Sequence, residues 1–203
     1  MLVSSSGGAS PAFTVLLVCT GNICRSALAE RLGRAYLDEA FDGAIGDIEL
    51  VSAGTRAVVG SGVHPSTALV LAGFGAEPGD FRARQLTESL PAQADVVLTM
   101  TRDHRRDVLA LAPRGLARTF TLREAAALLE LVPPPAEVPG CSFAERARGL
   151  VAAMASARAQ RPGRGDDDDV RDPIGHPVEV HQEVGDAIAE ALIPVLGRLA
   201  ELR

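Results

Sequence analysis

Residues 13–30 read FTVLLVCTGNICRSALAE. The apolar run through Val18 is short and unbroken, which suits a strand buried on both faces. Cys19 ends it. The turn Thr20-Gly21-Asn22-Ile23-Cys24 follows, and from Arg25 onward the pattern becomes helical. A strand feeding a helix through a tight turn is a βα unit, and open α/β sheets bind their ligands at that junction.

The turn carries a chemistry. A helix N-terminus presents unpaired N–H groups and a partial positive charge, so it attracts anions. The same field favours sulfur as thiolate, and a nearby arginine adds to it. Arg25 can grip two oxygens of a phosphate with its planar fork, a geometry that lysine lacks. Gly21 permits close backbone approach, and Asn22 tolerates the left-handed region. Successive N–H groups can then turn inward as a nest. Ser26 is placed to donate to the sulfur. The expected roles are Cys19 as nucleophile and Arg25 as clamp, with Thr20, Gly21, Asn22, Ile23, Cys24 and Ser26 around the phosphate. A lone cysteine at a strand end is usually inert core; the turn around this one argues for catalysis.

Beyond the turn, strand and helix patterns alternate. Strands are expected at 48–53, 94–100 and 118–121, and helices at 27–40, 65–73, 102–111, 122–132 and 179–201. Pro65 suits a first helical turn, and Pro194 is expected to kink the last helix. Four βα units predict an α/β domain whose parallel sheet is covered by helices on both faces.

Residues 133–169 form a longer segment, bounded by Pro133-Pro134-Pro135 and by Arg161-Pro162-Gly163-Arg164-Gly165. It reads as an insertion, with a helix at 143–159 that either caps the site or packs on the surface. Its alanine content favours the surface. The acidic run 166–169 lacks the alternating ligands of a calcium loop and reads as a solvated linker. Asp172-Pro173 comes next. Proline holds the preceding residue in extended backbone, so Asp172 is the candidate proton donor to a departing oxygen. An ordinary turn is the alternative on local grounds.

The stretch from Val18 to Glu30 resembles the signature V-C-x-G-N-x-C-R-S-x-x-A-E of the low-molecular-weight protein tyrosine phosphatases. Ser52-Ala53-Gly54-Thr55, Ala94-Asp95-Val96-Val97-Leu98-Thr99-Met100 and Asp172-Pro173 are also similar and fall in the right order. The resemblance implies a single-domain, three-layer, flavodoxin-like fold. Its four-stranded parallel sheet would have order 2-1-3-4, with the cysteine loop at the carboxyl edge of the first strand. It also implies a phosphocysteine intermediate, Asp172 as general acid, and no metal or cofactor. The substrate would be a phosphorylated protein or peptide, with inorganic phosphate as product.

Two residues disagree about what carries the phosphate. Tyrosine-directed relatives often place an aromatic after Asp-Pro; here stand Ile174 and Gly175. That pattern, with Thr101, His104 and Phe120-Thr121-Leu122-Arg123-Glu124, is similar to the bacterial protein-arginine phosphatase branch. The arginine branch resembles C-T-G-N-T-C-R, whereas Ile23 resembles the tyrosine branch. Phosphotyrosine is the favoured reading and phosphoarginine the alternative. Arsenate reductase of the same fold would need a resolving thiol pair, and Cys24 and Cys141 form no evident one. Cys24 reads either as a trap for oxidised Cys19 or as a buried spacer. A non-catalytic phosphate-binding module would have no need of Cys19, Arg25 and Asp172 together.

Composition agrees. The 203 residues suit one domain, and a net charge of −6 argues against general nucleic-acid binding. No run approaches the ~18 apolar residues of a membrane helix. Residues 1–12 lack a basic n-region and read as a disordered leader rather than a secretory signal. Three cysteines suggest no disulfide framework, which fits a cytoplasmic enzyme. A monomer or weak dimer is expected. Cysteines and histidines are scattered too widely to suggest zinc, and His104, His176 and His181 read as surface or loop residues. The first βα turn has no G-x-G-x-x-G, and no P-loop occurs.

Overall fold

The computed structural model describes residues 13–40, 47–132, 134–161 and 166–203. The expected leader, 1–12, lies outside them. β1 (Phe13–Cys19), β2 (Ile48–Gly54), β3 (Val96–Thr99) and β4 (Thr119–Thr121) form one parallel sheet in the order β2-β1-β3-β4. Cys19 pairs with Gly54 at the carboxyl edge, so the turn after β1 leaves the sheet beside the end of β2.

Seven helices lie among the described residues: α1 (Arg25–Ala40), α2 (Pro65–Gly73), α3 (Ser89–Gln93), α4 (Arg102–Leu111), α5 (Leu122–Leu128), α6 (Phe143–Ala157) and α7 (Val178–Ala200). They divide by the strand's two-residue alternation. Phe13, Val15, Leu17 and Cys19 face a core built with α1, α2, α5, α6 and α7. Leu16 and Val18 face a smaller core with Val108 of α4 and Leu90 of α3. Burial on both faces explains why β1 reads as a continuous apolar run.

Local chemistry sets the ends. Thr101 caps α4 by accepting from the His104 N–H, and Thr121 with Glu124 makes a capping box on α5. α7 continues through Pro194 as one element. The sequence reading missed α3, which is only five residues long. It also placed residues 129–132 in the helix after β4, where the chain tightens to a 3₁₀ turn at Leu129–Leu131.

The helix of the 133–169 segment departs from its expected surface position. Ala147, Leu150, Val151, Met154 and Ala157 belong to the main core, and Phe143 packs edge-on against Phe13 at 6.3 Å. Their spacing of three and four residues makes one apolar stripe, and its small side chains allow close approach. Alanine here serves packing, not exposure. The acidic run is partly neutralised: Asp168 forms a two-pronged pair with Arg161 at 2.5 and 2.8 Å, and Asp169 accepts from the Arg102 N–H.

Candidate active site

The turn after β1 is folded outward by its carbonyls. Those of Cys19, Thr20, Gly21 and Ile23 accept from the N–H groups of Thr55, Arg56, Val58 and His64 at 2.8–3.0 Å. The peptides are trans, so each carbonyl that points out directs the next N–H inward. The N–H groups of Thr20, Gly21, Asn22 and Cys24 therefore face the concavity. One is directly visible: the Asn22 N–H lies 3.3 Å from the Cys19 sulfur. Gly54 permits this approach, because a Cβ there would sit 2.5 Å from the Thr20 carbonyl oxygen.

Asn22 is the fixing point. It adopts φ 54° and is fully buried. Its Oδ1 accepts from the Arg84 N–H at 2.8 Å, which orients the amide. Its Nδ2 then donates to Ser26 Oγ at 2.9 Å and to Ser52 Oγ at 2.8 Å. Ser52 passes its hydrogen to Glu30 at 2.6 Å. Ser26 accepts from Asn22, so its own hydrogen is free for the Cys19 sulfur at 2.9 Å. The Ser26 side chain thus aims its hydroxyl at the sulfur, and the Asn22 side chain holds Ser26 in place. Asn22→Ala should cost about 2–4 kcal/mol, because several buried groups lose partners together. Urea denaturation checks this, and a loss under about 0.5 kcal/mol would contradict it.

Arg25 begins α1 and is buried. Its guanidinium donates to the Val170 carbonyl at 3.1 Å, to Thr20 Oγ1 at 3.3 Å and to the Asp172 carboxylate at 2.5 Å. Its Nε is buried without a partner. Asp172 is half-exposed and reaches Arg25 from the far end of the chain, 147 residues away. The Ile174 N–H donates to its other carboxylate oxygen at 3.2 Å. Val170, just before it, is anchored to the Met100 carbonyl at 2.7 Å.

A cavity of about 220 Å³ is lined by Cys19, Thr20, Gly21, Ile23, Cys24, Arg25, Arg56, Val58, Asp172 and Ile174. Every candidate except Asn22 and Ser26 lies on its wall. Ile174 is 49% exposed at the mouth. Arg56 and Val58 escaped the sequence reading; they follow Ser52-Ala53-Gly54-Thr55, whose backbone holds the turn. A wider cleft of about 750 Å³ adjoins it, shared through Thr20, Arg25, Arg56 and Asp172.

Two histidines expected at the surface are buried instead. His104 bridges Thr20 and Thr101 at 2.8 Å on each ring nitrogen. Burial, helped by Arg25, pushes it down to about 4, so the ring is neutral at pH 7. His181, in the first turn of α7, is 1% exposed and hydrogen-bonded to Thr67 at 2.9 Å. Its burial also lowers its pKa. His176 is exposed, as expected. Burial pushes the Cys24 thiol up to about 11, which keeps it protonated at neutral pH.

The arrangement is a thiol, an inward ring of N–H groups, a buried guanidinium and a carboxyl group around one small cavity. A probable low molecular weight protein-tyrosine-phosphatase, EpsP of Ralstonia solanacearum, is 38% identical over 111 residues, covering 55% of this chain and 71% of the relative. A low molecular weight protein-tyrosine-phosphatase of Streptomyces coelicolor is 40% identical over 116 residues, covering 55% and 68%. Among solved structures, the YwlE arginine phosphatase from Geobacillus stearothermophilus superposes with a TM-score of 0.65 at 25% identity, covering 93% of each chain. The model of the low molecular weight phosphotyrosine protein phosphatases matches residues 14–130, more than half of the chain, and the chain belongs to that family.

Proposed function

We propose that this protein hydrolyses phosphotyrosine in proteins through a phosphocysteine intermediate. One observation carries the reading: Asp172 lines the same cavity as Cys19 and Arg25, although it lies 147 residues beyond Arg25 in sequence. The inward N–H groups and Arg25 hold the equatorial oxygens of the phosphoryl group. Cys19 sulfur attacks phosphorus in line, the P–O bond breaks, and Asp172 gives its proton to the leaving oxygen. Asp172, then a carboxylate, takes a proton from water as the water displaces sulfur. The Ser26 hydroxyl stabilises the departing thiolate, and inorganic phosphate leaves. Side chains and backbone of this chain carry every step.

The wall above the phosphate site supports an aromatic ester. Ile23, Val58 and Ile174 offer apolar surface where a phenyl ring would lie. The similarity to protein-tyrosine-phosphatases supports the same substrate. Phosphoarginine is the second reading, favoured by Ile174-Gly175 after Asp172-Pro173 and by the likeness to an arginine phosphatase. The test compares phosphotyrosine and phosphoarginine peptides with wild type and Ile23→Thr. Wild type should prefer phosphotyrosine. The substitution removes apolar wall and adds a hydroxyl, so it should move the ratio toward phosphoarginine by about tenfold. Faster hydrolysis of phosphoarginine by wild type would overturn the assignment.

We place the enzyme in the cytoplasm as a monomer or weak dimer. Cys19, Cys24 and Cys141 are all free, and a nucleophilic thiol is preserved in a reducing compartment. Among the described residues, no helix is long and apolar enough to cross a membrane.

A further inference from the structure

Behind the phosphate loop, the fold gathers three residues that are far apart in sequence. Cys24 belongs to the loop, His64 precedes α2, and His181 lies in the first turn of α7. The Cys24 sulfur and a ring nitrogen of each histidine lie within 4.8 Å of one another. The two imidazoles are stacked, with centroids 4.9 Å apart and planes 12° from parallel. We propose that Cys24, His64 and His181 bind a divalent cation of the zinc class, which fastens the phosphate loop to α2 and α7.

The donor atoms support this. His64 Nδ1 and His181 Nε2 are buried and have no hydrogen-bond partner. His181 is almost wholly enclosed, so its free nitrogen faces the protein interior, not water. Buried ring nitrogens normally find partners; here each of two histidines that cluster with a thiol has one buried nitrogen without one. One sulfur and two imidazole nitrogens suit zinc rather than calcium or magnesium. Zn–S bonds of ~2.3 Å and Zn–N bonds of ~2.0 Å place donors roughly 3.3–3.6 Å apart at tetrahedral angles. Side chains must therefore close in by at most roughly 1.5 Å from the present spacing.

Thr67 fits the role of support. Its hydroxyl contacts His181 Nδ1 at 2.9 Å and lies near enough to the Cys24 thiol to lower its pKa against the effect of burial. With metal on Nε2, the His181 Nδ1–H donates to Thr67, and the Thr67 hydrogen is left for the Cys24 thiolate. One hydroxyl thus fixes the tautomer and steadies the sulfur. Cys24 loses its thiol proton to solvent as the metal–sulfur bond forms. Arg25 is the nearby cation that opposes binding, and Asp172 offsets it. The site is coupled to the phosphate loop. The His64 N–H donates to the Ile23 carbonyl at 2.8 Å, so the loop backbone is tied directly to one of the three residues.

The experiment titrates metal-stripped full-length protein with zinc against a chromophoric chelator, and separately with cobalt. Wild type and Cys19→Ala should each take up one zinc per chain. Both should show a thiolate-to-cobalt charge-transfer absorption. Cys24→Ala should lose that absorption. His181→Gln should weaken zinc binding by more than Thr67→Val, which keeps the side-chain shape and should weaken it roughly 10–100-fold. Far-UV circular dichroism confirms that each variant is folded. Three results would each overturn the proposal: no stoichiometric uptake by wild type, unchanged affinity in folded Thr67→Val and His181→Gln, or an absorption that follows Cys19 instead of Cys24.

Discussion

Cys19→Ser should lower turnover of a phosphotyrosine peptide by at least about 10⁴-fold while the protein stays folded. Serine occupies nearly the same space, and the inward N–H groups do not depend on the side chain. What it lacks is an easily formed anion. No general base is hydrogen-bonded to Cys19: its sulfur meets the Ser26 hydroxyl and the Asn22 N–H. A thiol is intrinsically far easier to ionise than an alcohol, and its anion is the better nucleophile. Inorganic phosphate should still compete for the variant, because Arg25 and the N–H groups remain. Steady-state kinetics and phosphate protection against thermal unfolding read the two effects. Turnover within tenfold of wild type would remove Cys19 from the mechanism.

Asp172→Asn should reduce kcat by about 10²–10⁴-fold, the contribution expected of a positioned acid–base group. The defect should grow with the basicity of the leaving group, being smaller for nitrophenyl phosphate than for a tyrosine ester. Phosphate binding should hold or tighten, since Arg25 loses the carboxylate that now occupies it at 2.5 Å. An equal defect for both leaving groups would show that Asp172 positions Arg25 and does not transfer a proton.

Readable features were those encoded locally. β1 and its turn could be identified because an apolar run, a glycine, an asparagine and an arginine stand within a few positions of Cys19. Helix α4 ran over the expected residues because its cap and apolar spacing are local. What failed depends on partners far along the chain. His104 is buried against Thr20, 84 residues away, and His181 against Thr67, 114 residues away. No local pattern distinguishes those rings from exposed ones. The alanines of α6 read as surface filler in sequence, yet Ala147 and Ala157 are buried in the main core. Asp172 lies between the two cases. Its proline predicts a rigid extended loop, but contact with Arg25 is a tertiary fact, and the matched family region stops at residue 130.

The Arg25–Asp172 pair has a consequence for which esters enter. The free site carries its own tethered counterion. A substrate meets an occupied arginine and must evict a carboxylate that is held at high local concentration. A phosphate monoester brings two negative charges against one and has a surplus with which to displace it. A phosphodiester brings only one and has none. Eviction also frees the Asp172 carboxylate, which under the proposed mechanism takes up a proton from solvent and carries it to the leaving group. On that mechanism the ion pair acts as a charge threshold, favouring dianions and freeing Asp172 in the same exchange.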